Sequence, residues 1–398
     1  MLLKKSLENK AAVWQDEYMK VRRSNTMEHP NKIIAAGHIC LDITPVFPSD
    51  RSYSSLSELL VPGKLFRMAG ADVHTGGSVA NTGLALKILG NDVRLLGKIG
   101  NDAFGALIQS IFAEYGAGGL LVDDSCSTSY SIVLAPPGMD RTFLHDPAAN
   151  DTFVSSDIPE EAFEDCCLLH FGYPSVMKRM LEEEGRELVS LYKRAKSHGL
   201  ATSLDLCSID PASDAARTNW RAFFEHVLPH VDFFLPSFEE ICFMLDPDRF
   251  RRLEKEGGDM TEALDLEKEA MPLAEQLLEL GCAAAVIKCG KSGMLYKTAG
   301  AQRLSMVGGR ISLDAAAWAD RAGIQPCFKA ESFCSATGAG DTSIAAFLTA
   351  MLAGKAPGEC TALAAAEGAC CVTAYDALSG LKALAELEAR VGHWDSSS

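Results

Sequence analysis

Short apolar runs of strand length alternate along the chain with helix-length amphipathic segments. That alternation predicts an α/β architecture, a parallel sheet with helices on both faces. Strands are predicted at residues 32–39, 92–96, 167–171, 201–206, 233–235 and 284–288. Helices are predicted near residues 81–89, 103–115, 181–197, 271–280, 342–352 and 358–374, the last two rich in Ala and Leu. Two stretches break the rhythm, residues 43–73 and about 120–146. The second contains the alternating run Ser129-Tyr-Ser-Ile-Val-Leu134, the turn Pro136-Pro-Gly138 and Arg141-Thr-Phe-Leu144. Both read as antiparallel strands and hairpins that could pair as a small β lid over one edge of the sheet. Residues 246–268 and 298–329 read as elaborations of the core. With no internal repeat and no low-complexity linker, the chain, residues 1–398, is expected to form one unit.

Composition narrows the function classes. The 398 residues are 47% hydrophobic and 23% charged, enough for a large core, and the formal charge is −16. An acidic surface excludes nucleic acid as the expected partner, because phosphate-backbone binding needs dense Lys and Arg. A phosphorylated ligand would have to be held by local donors. The N-terminal residues lack the apolar run of a secretory signal and no stretch reaches membrane-spanning length, so no membrane partner is expected and the cytoplasm is the expected location. Thirteen cysteines lie in apolar runs such as Gly368-Ala-Cys-Cys-Val372 and never as C-x-x-C, the pattern of reduced core thiols.

Candidate chemistry concentrates in three places. In Ser335-Ala-Thr-Gly-Ala-Gly-Asp341, a glycine turn runs into an apolar helix and gathers free backbone N–H groups at the positive end of the helix dipole. Asp341 would either cap those N–H groups or act on a ligand that the bare glycines let in. Thr75-Gly-Gly-Ser-Val-Ala-Asn81 likewise brings paired glycines into a helix. Asn81 could grip a polyhydroxylated ligand or cap a tight turn. The third, Ile33 to Asp42, reads as a buried strand ending in a carboxylate, where open sheets bind ligands and where a solvated Asp is also ordinary. Cys289-Gly-Lys-Ser292 is not a phosphate-binding P-loop, since Ala285 stands where that motif needs glycine. No G-x-G-x-x-G follows the first strand, so a dinucleotide-binding domain is unsupported.

Taken in this order, the segments resemble the ribokinase-like (PfkB) family of sugar and nucleoside kinases from about Ile33 to Gly380. Gly76-Gly77 with Asn81 and Thr337-Gly-Ala-Gly-Asp341 carry the resemblance. Gly97 to Gly105, Arg141 to Asn150, Leu204-Asp-Leu206, Leu235 to Glu240 and Val286 to Gly293 add to it. The resemblance implies a three-layer α/β/α sandwich with a β-stranded lid that often forms a dimer contact, so a homodimer through the lid is an option. It implies ATP-dependent phosphorylation of a primary hydroxyl of a sugar, a ribose, ketohexose or sugar acid. Asp341 would be the base, and the N–H groups of Gly338, Ala339 and Gly340 would receive the phosphoryl oxygens. Asp42, Gly76, Gly77 and Asn81 would hold the sugar. Glu240 would orient Mg²⁺ through water, and Lys288, Gly290, Gly293 and Thr337 would line the ATP site.

Departures from the family pattern temper this. Ser237 replaces the asparagine of an Asn-x-x-Glu element, which bears on the magnesium contact, and Ser335 replaces an aspartate, which weakens the case for a monovalent cation. Ala148-Ala-Asn150 stands for Gly-Ala-Asn, and Lys288 or Cys289 for a threonine. A nucleoside kinase is the near alternative, with Tyr130, Phe143 or Tyr173 stacking on a base or packing the lid or core. An inactive sugar sensor of the same fold is the distant one.

Overall fold

The computed structural model describes residues 32–48, 50, 53, 55–137, 139, 141–257 and 259–395. Gly138 of the expected turn lies outside them. Strands β1 (Lys32–Gly37), β4 (Asp92–Leu96), β9 (Leu168–Gly172), β10 (Ala201–Asp205), β11 (Phe233–Phe234), β12 (Ala284–Lys288), β13 (Met294–Thr298) and β14 (Ala322–Gln325) form one sheet in the order β14-β13-β12-β11-β10-β9-β1-β4. From β4 to β12 every pairing is parallel, whereas β13 and β14 join antiparallel. The all-parallel expectation is thus corrected at one edge. Gly290–Ser292 turns the chain straight back after β12, and so short a connection can only return antiparallel. Within the expected elaboration 298–329 lie two one-turn helices, Ala301–Leu304 and Ala315–Trp318, and the edge strand β14.

Alternate side chains of β1 explain the layers. Ile34 and Ala36 enter one hydrophobic core and Ile33 and Ala35 another, all fully buried. A strand apolar at every position needs cover on both faces. Helices Lys178–Ser197, Trp220–Val227 and Met271–Glu279 supply residues to the first core. Ser78–Ile88, Ala103–Glu114, Ala339–Leu352 and Pro357–Cys371 supply the second. Helix Lys178–Ser197 is broken at Glu182–Gly185, where Glu183, Glu184 and Gly185 have positive φ and the course departs from the continuous helix expected.

A smaller sheet sits beside the core. Strands β2 (Cys40–Val46), β3 (Gly70–Gly76), β7 (Tyr130–Leu134) and β8 (Thr142–Asp146) pair in the order β3-β2-β7-β8. These strands come from the two irregular stretches, but β2 and β7 run parallel where hairpins alone were expected. Strands β5 (Lys98–Gly100) and β6 (Leu121–Asp123) form a separate parallel pair. Among the described residues no helix is long and apolar enough to cross a membrane. All thirteen cysteines are free, and most are buried.

Candidate active site

Asp341 lies in the first turn of helix Ala339–Leu352, whose N-cap Gly338 adopts the left-handed conformation at φ 75° and offers no side chain to the helix end. A Cβ at Gly338 would stand 2.2 Å from that of Ala377, so glycine is needed for space as well as for backbone. The Asp341 carboxylate accepts hydrogen bonds from three side chains. They are Tyr173 (2.8 Å to each oxygen), Asn81 (3.0 Å) and Thr82 (3.2 Å). Its partners are thus residues far away in sequence on β9's exit and helix Ser78–Ile88. Asp341 itself is 4% exposed.

The sequence offers Tyr173 as a ring that stacks on a base or packs the lid or core; the structure instead uses its hydroxyl. Its backbone sits at φ 66°, costly for a bulky residue and common at sites where geometry is imposed. Burial, then the Asp341 charge, hold its phenol well above the usual range, so it donates as a neutral hydroxyl. Thr82 was missed altogether; its only sequence signal was adjacency to Asn81 in the helix's first turns.

The predicted anion hole is partly engaged within its own loop. The Ala339 N–H donates to Ala336 O at 3.3 Å. Thr337 Oγ1 takes a hydrogen bond from Arg141, the residue before β8, and lies 2.9 Å from Ser335 Oγ. Arg141 therefore ties the lid to the glycine turn.

Asp42 does not end the first strand, as expected; that strand stops at Gly37, and Asp42 lies inside β2 of the small sheet. Burial raises its pKa, against hydrogen bonds from Cys40 and Ser131. Gly76 makes room for it, since a Cβ there would fall 2.2 Å from Asp42 Oδ2. Gly77, at φ 85°, would place a Cβ 2.6 Å from His38 O and 2.5 Å from His38 Nδ1. Gly77→Ala is accordingly expected to lower stability by about 2 kcal/mol or more, from the left-handed penalty plus the clash, and urea unfolding measures it.

Lys288, at the end of β12, donates to Asp205 Oδ1 at 2.7 Å; Asp205 is buried and Lys288 mostly so. Burial pushes the Asp205 carboxyl up to about 8 against the pull of Lys288, with Glu240 and Asp341 adding negative charge nearby. Burial alone would lower Lys288; the facing carboxylates of Asp205, Glu240 and Asp341 outweigh it and hold the ammonium charged. The Lys288 side chain also passes Gly340, its Nζ 3.7 Å from where a Cβ would stand. Three carboxylates facing one ammonium leave a local excess of negative charge beside the glycine turn.

Glu240 is the reciprocal partner of Ser237 in a capping box, accepting from Ser237 N–H at 2.7 Å while Ser237 Oγ accepts from Glu240 N–H at 3.3 Å. Serine in the family's asparagine position is thus accounted for as a helix cap. Gly290 and Gly293 also have structural reasons. Their missing side chains leave space for Thr261 Oγ1 and for the backbone oxygen of Gln325 on β14.

Comparison with known proteins gives the family. The model for the pfkB family carbohydrate kinases matches residues 39–384. Rice fructokinase-2 (Oryza sativa subsp. japonica) is 25% identical over 231 residues, 55% of this chain and 61% of its own. The match to maize (Zea mays) fructokinase-1 spans a smaller share, 33% of that protein, so the chain covers less than two thirds of either relative's length. Arabidopsis thaliana ribokinase, solved with ribose and ATP, superposes with a TM-score of 0.65 at 17% identity, covering 91% of this chain and 98% of that one. An E. coli protein solved with ATP and Mg²⁺ does so with a TM-score of 0.65 at 19% identity, covering 91% and 99%. With its ribokinase-like sandwich and a family match running almost from end to end, the chain belongs to the pfkB family of carbohydrate kinases.

Proposed function

We propose that the protein is an ATP-dependent sugar kinase that phosphorylates a primary hydroxyl, with Asp341 as its base. One observation carries the reading. The Asp341 carboxylate stands at a glycine-opened helix N-terminus yet is held by Tyr173, Asn81 and Thr82, the arrangement of a positioned base beside an anion hole. Three fixed donors orient the carboxylate. An incoming hydroxyl replaces one of them and passes its proton to Asp341 as its oxygen bonds the γ-phosphorus of ATP and the bond from that phosphorus to the departing ADP breaks. The N–H groups of Gly338, Ala339 and Gly340 receive the phosphoryl oxygens, Ala339 giving up its bond to Ala336 O. Lys288, beside Gly340, adds positive charge. Gly290, Gly293 and Thr337 border the ATP site. Mg²⁺, held near Asp205 and Glu240, would neutralise the phosphates. Ser335 in the place of the family aspartate leaves a monovalent cation out of this proposal.

Asp42, with the space made by Gly76 and Gly77, and Asn81 would bind the sugar hydroxyls. Asp42→Ala is expected to raise KM about 10–100-fold with kcat within a few-fold, the loss of a hydrogen bond to a charged acceptor. Steady-state kinetics on the accepted sugar reads the split. A sugar is favoured over a nucleoside because the aromatics that could stack on a base have other partners. Tyr173 binds Asp341, Tyr130 packs on Phe104 at 5.6 Å, and Phe143 lies under Arg141.

The chain would work as one unit, closing the small sheet through Arg141 to exclude water. The free, mostly buried thiols support a reducing cytoplasm. Phe143 and Leu144, 51% and 49% exposed on β8, support a homodimer through the lid, which sedimentation can test. Phosphorus NMR of the product tests the reaction: phosphate on a primary hydroxyl supports it, and phosphate on a secondary hydroxyl or anomeric carbon refutes that assignment.

A further inference from the structure

Where the lid meets the core, β1 ends and the chain turns into β2, carrying His38 and Cys40; β8 brings His145 over them. Among the described residues this is the one group of three His, Cys, Asp or Glu side chains that could hold a common metal ion, with ligand atoms all within 4.8 Å of one another. The Nε2 atoms of His38 and His145 face each other at 3.2 Å. Two nitrogens bound to a tetrahedral zinc at about 2.0–2.1 Å stand roughly 3.3 Å apart, so the imidazoles already have the required spacing.

The surroundings match a metal site in three further ways. Ser131 Oγ lies 3.0 Å from His145 Nδ1, the outer hydrogen bond that fixes ring orientation in metal-ligating histidines. His38 Nδ1 is a buried atom with no hydrogen-bond partner among the described residues, and its Nε2 meets only the imidazole of His145, so an ion would take the place of that ring-to-ring hydrogen bond. His145 is exposed, which leaves a path for entry, while His38 and Cys40 are only 3% exposed.

We propose that His38, Cys40 and His145 form a binding site for a borderline-soft divalent ion, zinc, that bridges the lid strand β8 to the core. Two imidazoles and a thiolate suit zinc and fit Mg²⁺ poorly, since Mg²⁺ takes oxygen ligands. The site is separate from the carboxylates around Lys288. Cys40 Sγ lies 3.3 Å from Asp42 Oδ1, so coordination of its sulfur frees the Asp42 oxygen from the thiol proton. An ion here would couple the lid's position to the sugar-binding carboxylate proposed above.

Zinc and cobalt titrations of the full chain test this without any sugar or ATP. The expected result is one tightly competed zinc per chain, with Co²⁺ giving a thiolate-to-metal charge-transfer band. Cys40→Ser should abolish that band. His145→Ala, on an exposed strand position whose loss leaves the core intact, should weaken zinc binding markedly, and Ser131→Ala by about 10–100-fold. Zinc affinity unchanged in His145→Ala, or a charge-transfer band surviving Cys40→Ser, would assign the metal to other cysteines and overturn the proposal. Turnover plays no part in the readout, so failure here and failure of the kinase reading are distinguishable.

Discussion

Asp341→Asn is expected to lower kcat by about 10²–10⁴-fold, the range that a positioned general base contributes. The amide keeps the side chain's size and its place among Tyr173, Asn81 and Thr82 but cannot accept the hydroxyl proton. Sugar and ATP affinity should stay within a few-fold, because Asp42 and the glycine turn are untouched and Asn81 keeps its side chain beside position 341. Equilibrium binding measured beside single-turnover rates separates the two quantities. A loss confined to KM would mean that Asp341 binds substrate without activating it.

Lys288→Ala carries the largest expected effect on stability. Removing one partner of a buried ion pair leaves the other uncompensated and costs about 3–5 kcal/mol. Asp205, 1% exposed, would be the stranded charge. The penalty should depend on pH. With Lys288 present, burial already raises the Asp205 pKa to about 8 against the pull of that lysine; removing Lys288 takes the pull away, so the folded variant holds a proton on Asp205 that the unfolded chain, with an ordinary 3.8, releases. Stability of the variant should therefore fall as pH rises above about 4 and keep falling through 8, and recover as pH is lowered toward 4. Urea unfolding at several pH values checks both magnitude and sign. A flat profile would show that Asp205 finds another partner or solvent once Lys288 is gone.

Local signals made much of the architecture legible. Buried strands such as Ile33 to Ala36 are apolar on both faces, which no surface strand tolerates, and Ala- and Leu-rich stretches end at glycines. Antiparallel β13 and β14 were hidden because their sequences, half polar and flanked by one-turn helices, lack a two-sided apolar run. Asp42 was placed on the wrong element because β1 and β2 are separated by only His38 and Ile39, so a single run of residues crosses from one sheet to the other. Within the site, Gly338 to Asp341 could be read from their spacing. The company Asp341 keeps could not. Thr82 and Tyr173 reach it across 259 and 168 residues, and nothing near Tyr173 announces a left-handed backbone. The pairing of Lys288 with Asp205 is equally non-local, 83 residues apart, and it reveals a charge balance that a motif of glycines does not express.

The central claim, sugar phosphorylation with Asp341 as the base, is tested most directly by ADP release from Mg²⁺-ATP across pentoses, ketohexoses, sugar acids and nucleosides, run with the wild-type chain and Asp341→Asn side by side. Turnover on a sugar that falls by two or more orders of magnitude in the variant is the predicted result. Turnover that survives in Asp341→Asn, or silence of the wild-type chain on every compound while ATP binds, would contradict it.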